Sequence, residues 1–164
     1  MMKLRNKFLA GVSVVATAAA VAVAGLTAAS ASPAAAGFEH FQIVTTSPTG
    51  PESIIATGSV FTAGGVTHPG SRVDTAVFPD GTFKIAHSGG TGTPRFNPKT
   101  CLGVIVLNGT YRIGHGTGAY AGISGHGIYR LNILLVAARN SAGKCSNKTV
   151  AYQQIIRAQG PLSL

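Results

Sequence analysis

Tryptophan is absent from the 164 residues, only four residues are acidic, and none of those four follows Asp80. These absences remove several classes of chemistry. Gly116-Thr117-Gly118-Ala119-Tyr120-Ala121 fits the Gly-x-Gly-x-x-Gly/Ala pattern of dinucleotide sites. Such a site needs a helix to aim its N-terminus at the pyrophosphate and an acid about twenty residues on for the ribose. Here more glycine and a strand-like segment follow, with no acid. Gly143-Lys144-Cys145 lacks the rest of a phosphate-binding loop. No Gly-x-Ser-x-Gly elbow supports a serine hydrolase. No Cys-x-x-Cys or His-x-His with a following Glu is present, so no metal site and no cofactor are expected. Without tryptophan, and with Arg72, Lys84, Arg95, Lys99, Arg112, Arg130, Arg139, Lys144, Lys148 and Arg157 spread along the chain, no nucleic-acid interface is expected. No segment carries a 3.6-residue apolar stripe with capping signals, so helices are not expected either.

What is present begins with an export signal. Lys3, Arg5 and Lys7 precede an apolar run from Phe8 to Leu26, and Ala29-Ser30-Ala31 supplies small residues for cleavage before Ser32. Ala34-Ala35-Ala36 offers a second cleavage point before Gly37. Residues 1–31 therefore read as a signal peptide and 38–164 as the folded domain of a secreted protein, with no membrane span after processing. Removing 1–31 leaves 133 residues with ten basic and four acidic side chains, a net charge of +6. That length suits one domain. The charge suggests weak contact with anionic cell-envelope polymers. Cys101 and Cys145 are the only cysteines. In an oxidising compartment the pair most simply forms one disulfide, and a 44-residue loop closed this way stabilises a fold by up to ~4 kcal/mol.

The remaining segments read as strands. Phe38–Val44 alternates loosely, and Ser47-Pro48-Thr49-Gly50-Pro51 breaks it. Ser53–Thr62 is β-rich and ends at Ala63-Gly64-Gly65. Arg72–Phe78 alternates with Val73, Thr75 and Val77 on one face. Pro79-Asp80-Gly81 predicts a tight turn into Thr82–His87, since proline sets φ and glycine takes the unusual backbone position. Ser88–Lys99 reads as a loop. Cys101–Leu107 and Thr110–Ile113 flank Asn108-Gly109, a strong two-residue hairpin signal. Ile128–Ala138 places Tyr129, Leu131, Ile133 and Leu135 on one face, and Thr149–Ala158 is the last strand. Asn108-Gly109-Thr110 and Asn147-Lys148-Thr149 are formal glycosylation sequons. About eight short strands joined in order predict a single antiparallel up-and-down β-barrel, a form that leaves no open edges.

Between the last two strands but one, Gly114–Gly127 holds six of the 22 glycines. Within it, His115-Gly116-Thr117-Gly118-Ala119-Tyr120-Ala121-Gly122-Ile123-Ser124-Gly125 resembles the allene oxide cyclase and dirigent barrel family. Members carry Gly-Gly-Thr-Gly-x-Phe/Tyr ahead of a long strand; His115 stands where the first glycine is usual. The sequence is also similar to exported bacterial proteins with Gly-Thr-Gly-x-Tyr-Ala-Gly-x-x-Gly-x-Gly. The resemblance implies an eight-stranded barrel with a central cavity and a tendency to form homo-oligomers. It also implies a cofactor-free isomerase or cyclase acting on a hydrophobic substrate, although it assigns no catalytic residue.

Among the acids, Glu39 and Asp74 are the candidates for a catalytic carboxylate, because both lie on strands and can point inward. Asp80 belongs to a turn, and Glu52 adjoins Pro51 at a strand entrance. Around the Gly-rich stretch, Tyr111, His115, Tyr120, His126, Tyr129 and Arg130 are the candidate ligand-binding residues, with Tyr120 expected to plug one barrel end. The glycines themselves serve either a corner of the barrel or direct ligand contact. Without a convergent acid–base set, the leading expectation is a secreted barrel that binds a small hydrophobic or aromatic ligand without catalysis. A cofactor-free isomerase and a basic envelope-associated structural or adhesive module are the alternatives.

Overall fold

Inward apolar residues alternate with outward polar ones along most of the chain, and that period of two selects strands. The computed structural model describes residues 35–164; the expected export segment, 1–31, lies outside them. Nine strands follow: β1 (Ala36–Thr45), β2 (Glu52–Gly58), β3 (Ala63–His68), β4 (Val73–Phe78), β5 (Gly81–His87), β6 (Arg95–Asn97), β7 (Leu102–Gly114), β8 (Ser124–Arg139) and β9 (Cys145–Ser163). Every pairing is antiparallel. The sheet runs β5-β4-β3-β2-β1-β9-β8-β7-β6, and an additional β5–β7 pairing closes eight of these strands into a barrel. The short β6 stays outside the closure, attached to the start of β7.

Up-and-down order assigns the connections to two ends. The β2–β3 and β4–β5 turns, the β7–β8 connection and the C-terminus share one end, which is packed shut. Phe41, Phe61, Phe78, Phe83 and Tyr120 meet there with ring centroids 5.0 to 6.4 Å apart. Edge-on and tilted aromatic contacts of this kind add to the burial of apolar area. At the other end β7, β8 and β9 run past the barrel rim. Cys101 and Cys145, bonded with Cα atoms 5.4 Å apart, tie the ends of that extension. Arg139 at its tip donates to the carbonyls of Gly143 (2.6 Å) and Lys99.

The β4–β5 hairpin forms at the expected turn, with Phe78 paired to Gly81. The second expected hairpin does not form. Asn108 and Gly109 lie inside β7, paired with Arg130 and Tyr129 of β8. Two interactions hold them extended. Asn108 exchanges backbone hydrogen bonds with Thr91 at 2.9 and 3.1 Å on its other side. Gly109 lies under the Tyr129 ring, and a Cβ there would come within 2.5 Å of Tyr129 Cζ. Glycine is needed for close approach, not for a positive φ. The chain reverses instead in the Gly-rich stretch, through a 3-10 turn at Gly118–Tyr120.

Three further boundaries differ from the expectation. Ala63-Gly64-Gly65 begins β3 instead of breaking the chain, because Gly65 makes room for the Phe78 ring from β4. The loop after His87 contains β6. The last strand runs from Cys145 to Ser163, longer than Thr149–Ala158, because β1 pairs with it through Ser163.

Gly109→Ala is expected to lower stability by about 1–3 kcal/mol, the usual cost of overpacking a fixed aromatic neighbour. Urea unfolding measures it, and an unchanged midpoint would contradict the close approach of the Tyr129 ring to this backbone. The double substitution Cys101→Ala/Cys145→Ala is expected to cost about 2–4 kcal/mol in the same assay.

Candidate functional site

The closed end and the open end of the barrel differ in chemistry. Above the aromatic floor is a partly open cavity of about 210 Å³, with the exposed Pro69 and Gly70 on its rim. Its wall is mostly apolar: Phe41, Ile43, Ile85, Ile113, Leu131, Ile156 and Ala158. Six polar side chains interrupt that wall: Glu52, Asp74, His87, Tyr111, Tyr129 and Gln154.

Strand parity puts each of these inside. In β2, Glu52 alternates with buried Ile54 and Ala56; in β4, Asp74 alternates with buried Ala76 and Phe78. His87 ends β5 two residues after Ile85 and four after Phe83, both buried. The β5–β7 pairing then sets His87 directly beside Tyr111. Tyr111 and Tyr129 sit in β7 and β8 by reciprocal exchange: Tyr129 lies across from Gly109, and Tyr111 across from Gly127. Each ring fills the space its partner glycine leaves, a known device for packing aromatics on sheet glycines.

Hydrogen bonds hold the polar set in place. Gln154 Nε2 donates to Glu52 Oε1 at 2.6 Å, and Tyr152 donates to Gln154 Oε1 at 2.8 Å. Asp74 Oδ1 accepts the Gly70 N–H at 2.9 Å and lies 3.4 Å from His87 Nε2. Tyr129 donates to the Ser88 carbonyl at 2.7 Å, which pins its ring against the rim. Burial raises the Glu52 carboxyl above its ordinary value, and the negative charge of Asp74 adds to the effect. Burial also pushes the Tyr111 hydroxyl up to about 12, with a further contribution from Glu39.

Glu39 lies apart from the cavity wall, fully buried next to the β2–β3 turn. Its Oε2 accepts the N–H groups of Val60 and Phe61 at 3.2 and 3.4 Å. Its Oε1 is buried without a hydrogen-bond partner. Burial raises its carboxyl despite those two backbone bonds and the nearby His40.

Of the residues expected to contact a ligand, Tyr111 and Tyr129 line the cavity. Tyr120 is buried in the aromatic floor, against Phe61, Phe78 and Phe83. His115, His126 and Arg130 are exposed on the outside and do not converge with the cavity residues. His115 adopts a φ of 55°, in the left-handed region that glycine enters at no steric cost. Among the described residues, no three His, Cys, Asp or Glu side chains are grouped closely enough to hold a metal ion.

Sequence reading passed over Glu52, His87 and Gln154. For two of them the signal was strand parity: Glu52 with Ile54 and Ala56, and His87 with Phe83 and Ile85. Charge is also sorted by side. Glu39, Glu52 and Asp74 face the interior, whereas every described lysine and arginine is exposed. The two larger concavities, about 650 and 680 Å³, lie on the outer wall around Arg130 and Arg112. No family model, curated protein or solved structure matches this chain.

Two measurements check this geometry. Glu39 and Glu52 both bind their protons more tightly folded than unfolded. Their contribution is therefore complete below the ordinary carboxyl value of 4.5 and is lost as pH rises through the raised folded values. Urea unfolding is expected to show stability declining in that window, with a flatter profile for Glu52→Gln. An unchanged profile would contradict the burial of this carboxyl. Separately, His115→Gly is expected to raise stability by about 0.5–1 kcal/mol, as relief of the left-handed strain exceeds the added chain entropy.

Proposed function

We propose that this protein is a binding barrel for a small, largely apolar or aromatic ligand, held in the cavity between the aromatic floor and the Pro69–Gly70 rim. The observation that carries this reading is the cavity itself: an apolar wall with a few placed polar groups at one open barrel end. Its volume of about 210 Å³ suits a single substituted ring, since an apolar cavity of roughly 150 Å³ already admits benzene. The disulfide and the expected signal peptide support a place of action outside the cytoplasm.

A second reading is favoured by one specific observation. Asp74 and His87, 3.4 Å apart, face the same cavity as the raised Glu52 carboxyl and the Tyr111 hydroxyl. Such a set can move a proton on a bound substrate without a cofactor. It accords with the isomerase or cyclase activity that the Gly-rich motif implies by resemblance. Under this reading Asp74 and His87 form the acid–base pair, and Asp74→Asn would abolish turnover while sparing ligand binding.

Native mass spectrometry of protein secreted by its own host, with thermal shifts on adding benzyl alcohol, tests the binding reading. The expected outcome is a co-purifying small molecule or a ligand-dependent rise in Tm, lost in Leu131→Trp, which fills the cavity. Neither signal in a folded protein would overturn the proposal.

A further inference from the structure

Resting on the binding reading, the sorting of charge between the two sides of the barrel wall narrows the ligand class. Of the four acids outside the export segment, only Asp80 is on the surface. Two of the other three, Glu52 and Asp74, line the cavity near its rim, and no lysine or arginine does. The sole base there is His87, whose imidazole faces Asp74. The Gly70 N–H occupies Asp74 Oδ1 and the Gln154 amide Glu52 Oε1, Thr67 also bonds the Glu52 carboxylate, and Asp74 Oδ2 is left to accept from a ligand. Carboxylates kept in an apolar setting gain from a cation brought in with the ligand. Tyr129 and Tyr111 line the same cavity, and aromatic rings also attract a cation.

We infer that the cavity takes a cationic amphiphile, a primary or secondary amine on a single aromatic or alicyclic ring, with the ammonium group between Glu52 and Asp74 and the ring toward Phe41 and Ile156. The polar end lies near the rim and the ring deeper, so the ammonium keeps partial access to water and costs less to desolvate. The basic exterior repels amines, so their binding is confined to the interior. Anionic ligands of the same shape meet the opposite field inside the barrel.

Titration with three isosteric probes at pH 8, where a primary amine is still charged, tests this. Benzylamine is expected to bind at least ~tenfold more tightly than benzyl alcohol, the equivalent of one charge-assisted contact, and benzoate not measurably. In Glu52→Gln/Asp74→Asn the amine preference is expected to vanish while benzyl alcohol still binds, which also shows that the variant folds. If benzyl alcohol binds the wild type as well as benzylamine, or the preference survives in the double variant, the amine assignment is overturned and the cavity reading stands. If none of the three binds, the cavity reading itself fails and the amine assignment with it.

Discussion

Four residue pairs between β5 and β7, from Lys84–Gly114 to His87–Tyr111, join the two ends of an otherwise open sheet. Without that seam, β5 and residues 111–114 of β7 would expose unpaired N–H and C=O groups, and the inward faces of eight strands would not meet. The same seam makes the cavity. It sets His87 beside Tyr111, and because Asp74 pairs with Ile85 on the neighbouring strand, it carries the Asp74–His87 contact into the interior. Fold and candidate site therefore depend on one short ladder. The longer β7–β8 and β8–β9 ladders beside it give the wall the rigidity that a short seam alone lacks.

Inside the wall, space is apportioned by pairing large residues with glycine. Tyr129 over Gly109, Tyr111 over Gly127 and Phe78 against Gly65 each put an aromatic ring where the facing strand has no side chain. The floor gains a dense aromatic cluster. The upper half keeps an open volume, lined by the two tyrosines that lie against glycine. Burying carboxylates inside the barrel has a cost. Glu52 meets it with the Gln154 amide, and Glu39 with two backbone N–H groups, leaving Oε1 unpaired. Both carboxyls respond by holding their protons more tightly.

Local signals served well where one residue type has one physical use. Pro79-Asp80-Gly81 made its turn, Cys101 and Cys145 paired, and the β-rich segments became strands in sequential order. Asn108-Gly109 shows the limit of such signals. The same dipeptide that favours a two-residue hairpin also permits an aromatic ring to lie on the backbone, and the choice depends on Tyr129, twenty residues away. Likewise Glu52 shares its strand face with Ile54 and Ala56, and His87 with Phe83 and Ile85, but which face looks inward depends on pairing with distant strands.

The sequence by itself determined the strand-forming alternation, the lack of helical stripes between residues 38 and 164, and the concentration of turn chemistry around Gly114–Gly127. These depend on neighbours one to four residues apart, a range over which backbone preferences act. Tertiary structure alone decided which face of each strand looks inward, where the barrel closes, and that Glu52, Asp74, His87 and Tyr111 share a cavity. One residue of register exchanges every inward side chain for an outward one, and register is set by pairing between distant strands.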